Sequence, residues 1–282
     1  MGKGLGLIGN FKGKVGNVVG YNLKDSNNNQ TQGVRIYQPV VRNPKTYAQA
    51  EQRARMAVIN ATYRALKSII DRGQEGKPYG NKSRLAWLSD AMKNFNGAWV
   101  NKGEAIQFPA IVPLTKGSLA QVSVFSVDES IVTLTAAAQE GDVLNTVGGI
   151  SAVLKRAYSA IKDGDQITFV LMDNRGDTIN MASLSIIVRD GDNTAVDGFQ
   201  ISQNRLGLAA SVLNGDNTVA AAVILSREGA DGSHLRSTTS LKLSEDCSGE
   251  PPYDDASKEA AIRSYMASGS TSDWPQVPDE NA

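Results

Sequence analysis

The sequence predicts an α+β fold: a glycine-rich β-hairpin plus two helices, then an antiparallel β-sandwich-like domain with one helix, then an acidic tail. Three observations lead there. Between Thr46 and Phe95 apolar residues recur at helical spacing. Beyond Pro113, β-branched runs alternate with Asp-, Asn- and Gly-containing turns. Ahead of both, Gly4, Gly6, Gly9, Gly13, Gly16 and Gly20 crowd a segment in which each glycine disfavours helix by ~1 kcal/mol. The expected divisions are a basic N-terminal region over 1–114, an acidic sandwich over 115–246 and a largely extended or disordered tail over 247–282.

The opening stretch, Gly4 to Gly20, contains a literal G-x-G-x-x-G. A dinucleotide fingerprint needs a strand before it and a helix after it. Only Met1, Gly2 and Lys3 precede Gly4, and the glycines that follow Gly9 break a helix. The phosphate-loop pattern fails too. Gly9 to Gly13-Lys14 is one residue short, and Val15 stands where a magnesium-holding Ser or Thr belongs. A strand fits better, with Val15, Val19, Tyr21 and Leu23 on one face. The polar run Asp25–Gln30 reads as a loop, and Gly33–Tyr37 returns as the second strand of a hairpin.

Pro39 and Pro44 end that region. Thr46-Tyr47-Ala48-Gln49 has capping-box spacing, so a helix is expected from there to about Ile70. Its expected apolar stripe is Tyr47, Ala50, Ala54, Ala57, Ala61, Ala65 and Ile69. A second helix is expected over Lys82–Phe95, with Leu85, Leu88, Met92 and Phe95 inward. Pro109, Pro113 and Gly117 mark the boundary. Strands are expected at Gln121–Phe125, Ile131–Ala136, Gln166–Met172, Thr178–Arg189, Gln200–Ala209, Val219–Arg227 and Ser233–Leu243, with a helix near Ile150–Ile161. In the tail, Asp255–Ala267 has the makings of a short helix, and Ser268–Ala282 is polar and acidic around Trp274.

The balanced charge, 29 basic and 29 acidic residues, hides a division. Met1–Ala120 holds 18 Lys and Arg against 6 Asp and Glu, net +12, and Gln121–Ala282 is net −12. The basic half suits nucleic acid, and it equally suits the acidic half of a neighbouring copy. Two solvated faces without a partner are the third reading. The start lacks an apolar signal region and no run is long and apolar enough for a membrane helix, so no membrane partner is expected. Cys247 is the only cysteine, which rules out an internal disulfide.

Little in the chain points to chemistry. His234 is the only histidine, and no Cys or His has metal-ligand spacing. Asp163, Asp165, Asp190, Asp192 and Asp197 are of a type that binds calcium, but they lack EF-hand spacing and turns use Asp anyway. No enzyme activity, catalytic residue, metal, cofactor or small-molecule substrate is expected. The residues expected to meet nucleic acid or a protein partner are Lys12, Lys14, Arg35, Arg53 and Arg55 in the basic half and Trp274 in the tail. No stacking platform or recognition helix stands out, so contact through phosphates with weak sequence preference is expected.

Several motifs carry a family resemblance. Lys12-Gly13-Lys14-Val15-Gly16 with Val19-Gly20-Tyr21, Gly33-Val34-Arg35, Asn43-Pro44-Lys45-Thr46 with Gln49 and Arg53, Lys116-Gly117-Ser118-Leu119 and Arg236-Ser237-Thr238 are similar to an uncharacterised family of gut Bacteroidetes and of their phages and prophages. The resemblance covers most of the chain to about Asp246 and is firmest in the first 120 residues. It implies a non-enzymatic, phage-associated protein: a structural component of the virion, made in the bacterial cytoplasm, whose partners are copies of itself or other virion proteins. It assigns no site residue. A nucleic-acid-binding module and a host-encoded binding or surface protein are the alternatives.

Overall fold

The computed structural model describes residues 13–24, 30–37, 46–107, 109–173, 178–213, 218–229, 232–244 and 253–267. The fold is α+β, and its described residues fall into two compact units. One is the strand region 13–37 and the other runs from Thr46 onward.

The first unit is a three-stranded antiparallel sheet, β1 (Gly13–Val15), β2 (Val18–Lys24) and β3 (Gln30–Ile36). The expected single strand through Val15 and Leu23 is therefore two strands. Gly16 adopts φ +59° and, with Asn17, turns the chain back. Val15 pairs with Val18, which puts it on the opposite face from Val19 and Tyr21.

The second unit begins with α1 (Tyr47–Ala65), whose N-cap Thr46 accepts the Gln49 N–H at 3.3 Å as its spacing predicts. Leu66 breaks the expected single helix, and α2 (Lys67–Ile70) is a separate turn. The buried stripe of α1 is Ala50, Ala54, Val58, Ile59 and Thr62, rotated from the alanine row that the sequence suggests. Next comes α3 (Asn81–Lys93). It buries Ser83, Trp87 and Ala91 and leaves Leu85 exposed, because Trp87 is the larger apolar surface. Its indole N–H donates to the Pro113 carbonyl at 2.7 Å.

Three short strands follow: β4 (Asn96–Gly97), β5 (Ala110–Ile111) and β6 (Pro113–Thr115). Then come β7 (Val124–Val127), β8 (Ile131–Ala137), α4 (Val147–Ala157), β9 (Gln166–Asp173), β10 (Asn180–Ile187), β11 (Phe199–Ser202), β12 (Arg205–Ala209) and β13 (Thr218–Glu228). The last elements are β14 (His234–Arg236), β15 (Thr239–Ser240), β16 (Lys242–Leu243) and α5 (Asp255–Ala267). One sheet runs β10-β9-β13-β14, with β16 also on β13, and the other runs β11-β12-β8-β7. Gln200–Ala209 is a hairpin rather than one strand, since Gln203 and Asn204 take φ 52° and 58° in a left-handed turn without glycine. Ser233–Leu243 is three strands shared between two sheets.

The sandwich core lies between these sheets and is closed by α4, with Leu134, Ile150, Leu154, Phe169, Leu206 and Val223 inside. The opposite face of the β9–β13 sheet is also covered. Val170, Met172, Ala222 and Ile224 pack against Val58, Ile59, Trp87 and Leu114. Burial on both faces explains why β13 begins as an unbroken apolar run, Val219–Leu225, rather than an alternating one. The expected boundary at 114/115 thus runs through β6, whose Thr115 pairs with Thr239 of β15. Helices and sheet share one core there. In the tail, the helix expected over Asp255–Ala267 is present as α5, and the remainder from Ser268 lies outside the described residues. Helix α5 buries Ala261 and Ile262 beside α1, and Tyr47 donates to Glu259 at 3.0 Å.

Candidate docking surface

Register sorts the side chains of the N-terminal sheet into two unlike faces. Residues opposite one another in an antiparallel pair stand on the same side. Lys14, Val19 and Arg35 form one row across the three strands, and Tyr21 lies opposite Gly33 on that side. Tyr37 joins them, with the Lys14 Nζ 3.5 Å above its ring centroid. The Tyr21 ring lies against the backbone at Gly33, where an added Cβ would come within 2.6 Å of Tyr21 Cζ and displace the ring. The other face carries Val15, Val18, Val34 and Ile36. Val15, Val34 and Ile36 are 53%, 58% and 79% exposed. These three form an apolar patch, open to water, at one end of a face that also carries Asn22. Among the described residues, the outer edge of β3 pairs with no further strand.

The sequence-derived contact residues are dispersed. Lys14 and Arg35 share the cationic face. Arg53 and Arg55 belong to α1 in the other unit, and Lys12 and Trp274 lie outside the described residues. Arg53 is exposed. Arg55 is engaged structurally: it donates to Glu51 at 2.6 Å and lies 5.6 and 5.8 Å from the Phe95 and Trp99 rings. Sequence reasoning missed Tyr21 and Tyr37 as neighbours of the cations, and Val34 and Ile36 as one apolar face. The signal for both was the Gly16–Asn17 turn, which fixes the register.

Two motifs far apart in sequence, Lys116–Leu119 and Arg236–Thr238, meet in the second unit around Glu75. Its carboxylate accepts the Ser118 N–H at 2.9 Å, the Ser118 hydroxyl at 2.8 Å and the Arg236 N–H at 3.0 Å. Gly117 donates its N–H to the Thr238 hydroxyl, and Leu119 donates to the Arg236 carbonyl. Burial pushes the Glu75 carboxyl up, but the bonds from Ser118 and Arg236 outweigh it and hold the group below its ordinary range. A cleft of about 600 Å³ opens beside this node, bordered by Lys77, Ser89, Asp90 and Lys116. Glu75 is saturated by donors and Lys116 pairs with Asp90 at 3.3 Å, so the arrangement locks loops together.

Four of the five acidic turn residues are also engaged, and Asp197 is exposed. Asp165 is met bidentately by Arg227 at 2.6 and 2.7 Å. Asp163 and Asp190 share Lys155, whose hydrogen bond holds the Asp163 carboxyl below its ordinary value. Asp192 accepts from Thr194. His234 packs its ring 5.5 Å from that of Tyr79. Among the described residues, no three of His, Cys, Asp and Glu gather to hold a metal, and no helix is long and apolar enough to cross a membrane. Comparison with family models, curated proteins and solved structures finds no match to this chain.

Proposed function

We propose that this chain is a non-enzymatic structural component of a phage virion, and that it joins copies of itself or other virion proteins through the N-terminal sheet. One observation carries the reading: the open apolar patch of Val15, Val34 and Ile36 on a sheet that has three strands among the described residues. A sheet this small owes its stability to covering an apolar face, and an apolar patch left exposed marks a site of association. The family resemblance in the first 120 residues supports the phage setting.

The magnitude favours association that depends on concentration. Full burial of a Val or Ile side chain is worth about 1.5–3 kcal/mol. Scaled by the exposed fractions, the three residues offer roughly 3–6 kcal/mol per copy. Association costs about 4–15 kcal/mol in lost translational and rotational freedom. Two such faces meeting come close to balance, and strand pairing at the β3 edge tips it. Repeated copies in a particle then add avidity.

Sedimentation of the full chain across a concentration series tests this. The expected result is reversible self-association, reduced at least tenfold in affinity by Ile36→Lys with Val34→Lys. A chain that stays monomeric at high concentration, or a double variant that associates as well as the parent, refutes the assembly surface. Mass spectrometry of purified particles tests the virion assignment separately.

A further inference from the structure

We propose that the opposite face of the same sheet, built on Lys14, Tyr21, Arg35 and Tyr37, binds single-stranded nucleic acid. The inference does not rest on the assembly reading, which uses the other face.

Three features point to this ligand. The first is charge of one sign. The described residues of 13–37 contain no Asp or Glu, and the whole of Met1–Lys45 holds one, Asp25, against seven Lys and Arg. No carboxylate in the described sheet competes with a phosphate for Lys14 or Arg35. The second is the Tyr21 ring. It lies against the backbone at Gly33, 38% exposed, so its outer side is a flat aromatic surface facing away from the sheet. A base stacks on such a surface whatever its identity. The third is spacing. Arg35 follows Gly33 by two residues on the same face, about 7 Å along the strand. A nucleotide stacked over Tyr21 therefore has a guanidinium within reach of its phosphate. Tyr37, with Lys14 over its ring, extends the row of aromatic and cation in the neighbouring register. An acidic peptide would use the two cations but has no need of a ring laid flat, so nucleic acid fits the whole arrangement better.

Fluorescence anisotropy of a labelled oligothymidine of about 12 nucleotides, titrated with the full chain, is the test. Binding should weaken with salt at a log–log slope of about −0.7 for each phosphate contacted. Two cations give about −1.4, or roughly a sevenfold loss between about 50 and 200 mM salt. Arg35→Gln should make the slope shallower by about 0.7. Tyr21→Leu should weaken binding roughly tenfold, and Tyr21→Phe should restore it, since the ring does the stacking. The Phe variant guards against a trivial loss of folding in the Leu variant, and Arg35→Gln gives an independent reading. Salt-insensitive binding, a duplex bound as tightly as the single strand, or Leu and Phe variants that behave alike would overturn the proposal. So would a peptide of residues 268–282 binding this face where the oligonucleotide does not.

Discussion

Glu75 is the residue whose removal has the most calculable consequence. It accepts two backbone N–H groups and one hydroxyl, from Ser118 and Arg236, and joins segments 43 and 161 residues away. Hydrogen bonds to a charged group contribute about 1.5–3 kcal/mol each when shielded. The Ser118 pair is exposed and the Arg236 bond part-buried, so water replaces much of the lost bonding. For Glu75→Ala this leaves a loss of about 3 kcal/mol. Glu75→Gln keeps one carbonyl oxygen for the two N–H groups, and the Ser118 hydroxyl can turn to accept from the new amide. Only the charge assistance goes, about 1 kcal/mol. Thermal melts should fall by roughly 6–12 °C for Ala and 2–4 °C for Gln in a chain of this size. The pH dependence carries a sign. The folded Glu75 titrates below its ordinary value of 4.5. Its contribution is therefore complete above the unfolded value and is lost as pH falls through the folded one. The gap between parent and Glu75→Gln should be full at neutral pH and should close below about pH 4.5. Gln as damaging as Ala, or a gap that widens on acidification, would refute the account.

Two further outcomes follow from steric fit and burial. Gly117→Ala should cost about 3 kcal/mol in urea unfolding, because an added Cβ overlaps the Arg236 carbonyl oxygen and the Glu75 carboxylate, and the backbone cannot rotate away; a variant within 0.5 kcal/mol of the parent (about the noise of neutral surface changes) would count against it. Arg227→Met should destabilise by about 3 kcal/mol, because the Asp165 side chain is only 1% exposed and loses both bonds from its cation. Adding Asp165→Asn should recover part of that loss, measured by the same denaturation, and no recovery would show that the cost lies in packing rather than charge.

Much of the fold was legible because local chemistry specified it. Thr46 reads as a cap from four residues, and Asp255–Ala267 reads as a helix from its own composition. The failures share a cause: facts set by distant partners. A glycine every three or four residues does not say which one turns, and only the pairing of β1 with β2 singles out Gly16. Asn204 is the one local hint of a left-handed turn at Gln203-Asn204, and it is weak because the usual glycine is absent. The run Val219–Leu225 reads as a buried strand, but helices and a second sheet covering its two faces cannot be read from it. The same holds for the candidate site. Lys14 and Arg35 stand out by charge alone, whereas their aromatic neighbours depend on a register that shifts every side chain to the other face if it slips by one residue.

The two faces of the N-terminal sheet impose different demands. Val34 and Ile36 alternate along β3 with Gly33 and Arg35, so successive residues of one strand serve opposite surfaces. An apolar partner can cover Val15, Val34 and Ile36 without touching Lys14 or Arg35, and a phosphate chain can lie along the cations without touching the valines. The alternation also explains why an averaged profile cannot separate the two surfaces, since Val34, Arg35 and Ile36 fall in the same window. The sequence marks this strand only through Arg35, and the alternation lets substitutions on adjacent residues test the two proposed surfaces separately.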